Sequence, residues 1–277
     1  MAELGHDARV KEIWRYPVKS MAGEEIPFAK VTPKGVLGDR VYALVDKGAI
    51  RAATVRTWAA ALLSYRSQFL TEPELDAPSP NARITTPDGR VLTNTDPEIA
   101  VRLSAAFGRN LALMTTAPLG LLVEFPAGSL GGTLSNTTEL PLAGAAPPGT
   151  FFDYACVHLI ATSTIDHLQA AYPEGRFDVR RFRPNIVVET STGSRDFTEN
   201  AWVNHVLAIG DAVRLSIDGP CPRCVMTTLP QGGLPQDVGI LRTAAQHNRA
   251  NVGVYAAVLR GGKIRLGDSV SLCVGLA

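Results

Sequence analysis

A chain of 277 residues, 45% hydrophobic and 19% charged, has material for one large or two modest buried cores and excludes disorder as its ground state. Its 27 Lys and Arg balance 26 Asp and Glu, leaving a formal charge of +1; a broad nucleic-acid-binding surface is excluded, and any cations that matter must be gathered locally. No segment approaches the roughly 20 apolar residues that span a bilayer, and the opening MAELGHDARVKEIWRYPVKS shows no charged-then-apolar leader, so a cytoplasmic protein with no membrane partner is expected.

In chain order, short β-like runs come first: RVKEIWRYPV, EEIPFAKVT, PKGVLGDR, VYALVD and then ARITTPDGRVL. Turn signals such as TPKG, VLGD and TPDG recur at short spacing, which favours a barrel or sandwich over a βαβ series. Two helices are predicted among them, TVRTWAAALLSY and DPEIAVRLSAAFG, the second with Asp96 as N-cap and Gly108 at its end. Residues 128–150, GSLGGTLSNTTELPLAGAAPPGT, read as a loop or linker.

The second half resumes with the apolar strand CVHLIATS, the helix TSTIDHLQAAY and the runs RFRPNIVVET and WVNHVLAIGDAVRLSI. A Gly/Pro-rich bend follows, GPCPRCVMTTLPQG, then the helix DVGILRTAAQHN and the closing strands VGVYAAVLRGGKIRLGDSVSL. Within these, RGGKIRLGD reads as a hairpin whose Gly-Gly supplies positive φ. The fold class is mixed α/β and strand-dominated, with β-barrel character in both halves.

Several clusters place cations or hydroxyls where the backbone turns. Lys19 and Ser20 follow a Pro-containing strand end, a place to hold an anion by charge and hydroxyl together, or to leave a lysine in water. Arg40 stands between Asp39 and an apolar strand, where a plain ion pair with Asp39 is the competing explanation. Arg180, Arg181 and Arg183 lead through Pro184 and Asn185 into a buried-looking strand. Alternating arginines there can aim two guanidinium forks at a phosphate or carboxylate, or one can make a buried ion pair.

The four cysteines are Cys156, Cys221, Cys224 and Cys273, and in a reducing compartment the close pair reads as metal-binding or redox-active rather than as a disulfide framework. Structural zinc wants four ligands, and neither remaining cysteine has a CxxC partner. A thioredoxin-like pair opens a helix in a βαβ unit, and iron–sulfur clusters need four suitably spaced cysteines. A redox pair stays open. So does a single thiolate beside Arg223, flanked by Thr227 and Thr228, which suits a soft, high-valent metal that brings a ligand of its own.

YPVKS, VLGDR, RFRPNIVV, a Trp followed by IGDAVRL, CPRCVMTT and GKIRLGDSVSL occur in the order found in MOSC-domain proteins. The chain resembles those with an extra N-terminal β-barrel domain, including the mitochondrial amidoxime-reducing components and bacterial reductases of N-hydroxylated purines. The resemblance covers nearly the whole chain and implies an N-terminal β-barrel-like domain at 1–115 and a MOSC domain at 116–277, the boundary falling near the 128–150 loop. It implies a molybdenum cofactor (Mo-molybdopterin) ligated by Cys224, with Cys221 structural. Carried over in the same way, Lys19, Ser20 and Arg40 contact its phosphate and pterin from one side. Arg181, Arg183 and Asn185 meet it from the other, Pro222, Arg223 and Thr227 line the metal loop, and Thr162, Ser163 and Thr164 bring a hydroxyl toward the pterin.

The implied chemistry is reductive removal of oxygen from nitrogen in a small N-hydroxylated or N-oxide substrate. Relatives often continue CxRCxxTTVDP, whereas here Leu229-Pro230-Gln231-Gly232-Gly233 follows, so the acidic residue is absent. With no fused ferredoxin domain, electrons are expected from a separate partner, a flavin reductase with a ferredoxin or cytochrome b5-like carrier. Two rivals remain: a non-catalytic cofactor carrier or sulfur-handling protein, and a metal-free small-molecule-binding barrel.

Overall fold

A bulge shapes the first strand: in RVKEIWR, Val10 and Ile13 are buried in one core while Arg9 and Lys11 are exposed, and the register shift between Val10 and Glu12 lets two residues an odd number of places apart face the same side. The computed structural model describes residues 8–55, 59–118, 120–125, 138–141, 147, 150–190 and 196–273. The strands are β1 (Arg9–Arg15), β2 (Glu24–Glu25), β3 (Phe28–Thr32), β4 (Gly35–Val36), β5 (Ala43–Asp46) and β6 (Arg51–Ala52). There follow β7 (Arg66–Phe69), β8 (Ala82–Thr85), β9 (Val91–Thr93), β10 (Leu111–Met114), β11 (Leu122–Phe125) and β12 (Thr138–Pro141). The rest are β13 (Val157–Ala161), β14 (Ile186–Glu189), β15 (Val206–Ile209), β16 (Val213–Pro222), β17 (Asn251–Arg260), β18 (Gly262–Arg265) and β19 (Val270–Leu272). Among the described residues three helices interrupt them, α1 (Glu98–Phe107), α2 (Thr162–Ala171) and α3 (Gly239–Asn248), so the fold is strand-dominated mixed α/β as read from the turn spacing.

The largest sheet has eight strands in the order β19-β15-β16-β17-β13-β14-β1-β2. It curls until its ends meet, where Val10 N donates to Asp268 O (2.9 Å) and Val270 N to Ala8 O (2.8 Å). Its inward side chains, among them Ile13, Leu159, Val188, Leu215 and Val254, form one core with Trp202 from the 3-10 turn at Thr198–Trp202. A five-stranded sheet (β10-β5-β6-β11-β12) and two three-stranded sheets (β18-β3-β4 and β7-β8-β9) complete the layers. A second core, including Met21, Tyr42, Leu62, Ile84 and Leu103, lies beneath α1.

Strand pairing mixes distant parts of the chain. β1 pairs antiparallel with β14, and β18 leaves the large sheet to pair with β3, register Gly262 opposite Val31 to Arg265 opposite Phe28. The expected 260–268 hairpin is therefore not formed: β17 and β18 lie in different sheets. Gly261 and Gly262 serve close approach rather than positive φ, since a Cβ at Gly261 would stand 2.5 Å from Val31 O and one at Gly262 2.6 Å from Ala212 Cβ.

The helix expected at 54–65 is reduced, within the described residues, to a 3-10 turn at Ala60–Ser64 that buries Leu62 and Leu63; residues 56–58 lie outside them. The segment 128–150, read as loop, contains β12 paired with β11, and most of the remainder lies outside the described residues. Asp96 does cap α1, its carboxylate accepting the Glu98 N–H at 2.9 Å, and Gly108 closes it at φ +62°. No helix among the described residues is long and apolar enough to cross a membrane.

Candidate functional site

Among the described residues eight that are not glycine hold φ between +50° and +70°, and three of them, Ser20, Arg40 and Arg183, line one cleft. Left-handed backbone costs a side-chain-bearing residue about 1–3 kcal/mol and tends to gather where a ligand is held. Three chain segments converge to impose it. The turn after β1 is laddered to the residues before β5, Arg40 N donating to Tyr16 O (2.7 Å) and Lys19 N to Tyr42 O (2.8 Å). Arg183 closes a 3-10 turn, its N–H donating to Val179 O at 3.1 Å, just before β14 begins. β16 runs through Pro220 and Pro222 with three register shifts along its length, and Cys224 then caps a 3-10 turn at Val225–Thr228.

The cleft encloses about 120 Å³. Lys19, Ser20, Arg40, Arg183, Asn185, Pro222, Arg223 and Cys224 all line it, so most of the residues expected at the site are brought together. Five are not. The Thr162, Ser163 and Thr164 hydroxyls are committed at the start of α2, to Thr190 N (3.3 Å), Thr198 Oγ1 (2.8 Å) and Glu199 Oε2 (2.5 Å) respectively. Arg181, fully buried, clamps the loop after the cysteines by donating to Thr227 O (3.0 Å) and Pro235 O (2.8 Å), and Thr227 donates to Cys224 O at 3.1 Å.

Four cations and two carboxylates meet here. Lys19 donates to Asp153 Oδ1 (2.5 Å) and Phe151 O (3.0 Å), and Arg40 pairs with Asp39. Arg183 donates to Met21 O at 2.6 Å, and Arg223 to Cys221 Sγ (2.7 Å) and Phe182 O (2.8 Å). Lys19, Arg40, Arg183 and Arg223 against Asp39 and Asp153 leave two positive charges uncompensated by carboxylate. Among the described residues Arg183 Nη2 and Arg223 Nε are buried without a hydrogen-bond partner, and such orphans are costly unless a ligand accepts from them.

Arg40 and Arg183 both stack on the Tyr16 ring, at 4.8 and 4.2 Å. Burial first, then the neighbouring Arg40 charge, pushes Arg183 down to about 10, which still leaves it a cation at neutral pH. Burial also disfavours charge on Arg223, but the neighbouring Cys221, Tyr255 and Cys224 outweigh it and hold that guanidinium above its ordinary value.

Three features escaped the sequence reading, and of a fourth, Asp39, only the pair with Arg40 was read. Asp39, its side chain fully buried, accepts from Tyr16 N (2.8 Å), Asn185 Nδ2 (2.9 Å) and Arg40, tying the three walls together. His158 is buried with ring nitrogens 3.4 Å from Arg183 O and 3.2 Å from Val252 O; burial, then Arg223, lowers it to about 3, so it is neutral. Tyr255 lines the cleft beside Cys221 and is raised by burial and by that sulfur. Phe152, Asp153, Tyr154 and Ala155 form the outer wall; the only hint was the aromatic and acidic FFDY following the Gly/Pro-rich run. Cys221 is fully buried outside the lining, whereas Cys224 is half-buried and lines it. Among the described residues no three His, Cys, Asp or Glu side chains converge on a metal position, so a metal here would take one thiolate and bring its other ligands with it.

A family profile described as MOSC domain matches residues 148–271, and one described as MOSC N-terminal beta barrel domain matches residues 7–71. Among solved structures, the YuaD protein of Bacillus subtilis is similar at 11% identity and a TM-score of 0.49, over 96% of this chain and 94% of that one. YiiM of Geobacillus stearothermophilus is 17% identical with a TM-score of 0.32, over 43% of this chain and 55% of that one. YiiM of Escherichia coli is 13% identical with a TM-score of 0.31, over 44% and 56%.

Proposed function

Because this chain belongs to the MOSC family, which includes proteins that bind the molybdenum cofactor, we propose that it holds that cofactor at Cys224 and reduces N-hydroxylated or N-oxide small molecules. The observation that carries the reading is the donor set: one accessible thiol beside four cations, with two buried guanidinium nitrogens lacking partners. A cofactor that ends in a phosphate dianion fits an excess of two positive charges, and its metal fits a lone thiolate.

In this reading Cys224 ligates the metal, Lys19, Ser20 and Arg40 take the phosphate and pterin, and Arg183 and Arg223 donate from the free edges of their guanidinium groups. When bound, the cofactor supplies the two-electron chemistry that removes oxygen from nitrogen. The chain's own residues supply position, charge and protons. Asp39 fixes Arg40 and Asn185, neutral His158 adds no further charge, and the raised Tyr255 hydroxyl keeps its proton at neutral pH beside the cleft.

Ligand sites usually enclose about 300–1,000 Å³, well above the 120 Å³ found here. The exposed part of the cleft wall is Asp153 and Tyr154, held by the Lys19–Asp153 pair, while Phe151 and Phe152 beside them are buried in the cores. Electrons come, in this proposal, from a separate flavin reductase with a ferredoxin or cytochrome b5-like carrier.

The test is metal analysis of wild type and Cys224→Ser, both expressed in a host competent for cofactor synthesis. Near-stoichiometric molybdenum in wild type, lost in a folded mutant, is expected. Molybdenum in neither protein, with a control enzyme loaded in the same host, overturns the reading in favour of a metal-free binding barrel. Loaded protein that reduces no N-hydroxylated substrate when given electrons fits a carrier instead.

A further inference from the structure

Behind Arg183 lies a second cavity, about 360 Å³, three times the volume of the cleft at Cys224 and within the ordinary size of a small-molecule site. Arg183 is the wall the two share. Apolar surface comes from Trp14 and Leu63, and three arginines, Arg66, Arg180 and Arg183, line it together with Gln231. Among the described residues no carboxylate lines it.

The three arginines are not equivalent. Arg180 is neutralised by Asp178, to which it donates through Nε (2.8 Å) and Nη2 (2.5 Å), and its Nη1 donates to Gly232 O at 3.1 Å. Arg66 is exposed on β7 with no ion pair or side-chain hydrogen bond among the described residues. Arg183 is 6% exposed and its Nη2 has no partner. Positive charge is thus uncompensated on the Arg66 and Arg183 side and cancelled on the Arg180 side. Trp14 is fixed by its Nε1–H, which donates to Glu12 Oε2 at 2.7 Å, so its ring face is held in place for stacking.

Gln231 and Gly232 belong to the loop that follows the Val225–Thr228 turn. The Gln231 amide nitrogen reaches Met226 O (3.3 Å) and Leu229 O (3.4 Å), an uncharged wall where a carboxylate would repel an anion.

We propose that this cavity is a second ligand site, taking a flat aromatic carboxylate with its ring on Trp14 and its charge toward Arg66 and Arg183. Arg183 is shared with the cleft at Cys224 but Trp14 and Arg66 are not, so Arg66→Ala and Cys224→Ser test the two readings separately.

The probes are 2-naphthoate and its neutral analogue 2-naphthamide, titrated calorimetrically into the full-length protein, with tryptophan emission of wild type and Trp14→Phe compared in parallel. The acid is expected to bind and to change that emission, and the amide to bind at least tenfold more weakly. Arg66→Ala should weaken the acid about tenfold, the loss expected for one charge-assisted contact. Ser64→Trp, which fills the cavity from its exposed rim, should abolish binding, and Cys224→Ser should leave it unchanged. Equal affinity for acid and amide, no measurable binding, or unaltered binding in Arg66→Ala and Ser64→Trp together would overturn the proposal.

Discussion

Replacing Asp39 by Asn isolates the carboxylate on which the cleft is organised. Its side chain is fully buried and accepts from Tyr16 N, Asn185 Nδ2 and Arg40. An amide has one acceptor oxygen, so in either orientation its NH₂ must face a donor, the Tyr16 N–H on one side or the Arg40 and Asn185 donors on the other. It also leaves the largely buried Arg40, 15% exposed, without its counter-ion next to Arg183. Removing one partner of a buried pair costs about 3–5 kcal/mol. At roughly 2.1 cal/mol/K of unfolding entropy per residue, 277 residues give about 0.6 kcal/mol/K, so Tm should fall by about 5–9 °C. Thermal melts followed by far-UV circular dichroism measure it. The double variant Asp39→Asn with Arg40→Met should recover part of the loss, because the stranded cation goes too. A single-mutant drop under about 2 °C, or strictly additive losses, would refute the claim that Asp39 compensates a buried excess of positive charge.

Glu199, raised by burial to about 7, and His158, lowered by burial to about 3, give opposite pH dependence. The raised carboxyl stabilises the fold below its unfolded value near 4.5 and that contribution is lost as pH rises toward 7; the depressed imidazole stabilises above about 6.5 and is lost as pH falls. Between pH 4.5 and 6.5 the two cancel in wild type, so Glu199→Gln should show stability rising with pH by about 1.4 kcal/mol per unit, and parallel wild-type and mutant profiles would count against this. Gly253→Ala places a Cβ 2.3 Å from His158 Nε2 and 2.4 Å from Leu159 O at φ +83°, and urea midpoints should show a loss of about 3 kcal/mol or more; a loss under about 1 kcal/mol would contradict the packing. Arg181→Met should accelerate amide exchange across residues 227–235, whose carbonyls it clamps, while Cys221 on β16 stays protected; unchanged exchange in the loop would show that the clamp is dispensable.

The strand-dominated class and the helices α1, α2 and α3 were legible because their signals are local: short turn spacing, apolar periodicity and, at α1, the cap residues Asp96 and Gly108. The hairpin at 260–268 was misread for a related reason. Local turn chemistry says that the chain bends there, while only the partner strand β3 says which sheet Gly262–Arg265 joins. The arginine cluster shows the same limit within three residues. Strand alternation would aim Arg181 and Arg183 alike, but the 3-10 turn at Val179–Arg181 and the left-handed backbone at Arg183 break that period. Arg181 turns to the loop carbonyls and Arg183 to the cleft.

The inventory of the candidate site was written in the sequence: a loop thiol at Cys224, lysine and arginines at chain bends, and near-neutral charge elsewhere, so that any cationic cluster had to be local. Side-chain type and nearby turn residues suffice for that much. The tertiary structure decided which of these groups meet, which carboxylate compensates them, and that Arg183 separates two cavities. Those properties arise from pairings such as β1 with β14 and β16 with β17, which join segments far apart in the chain. Such pairings are fixed by burial of the whole set of strands, and no single segment encodes them.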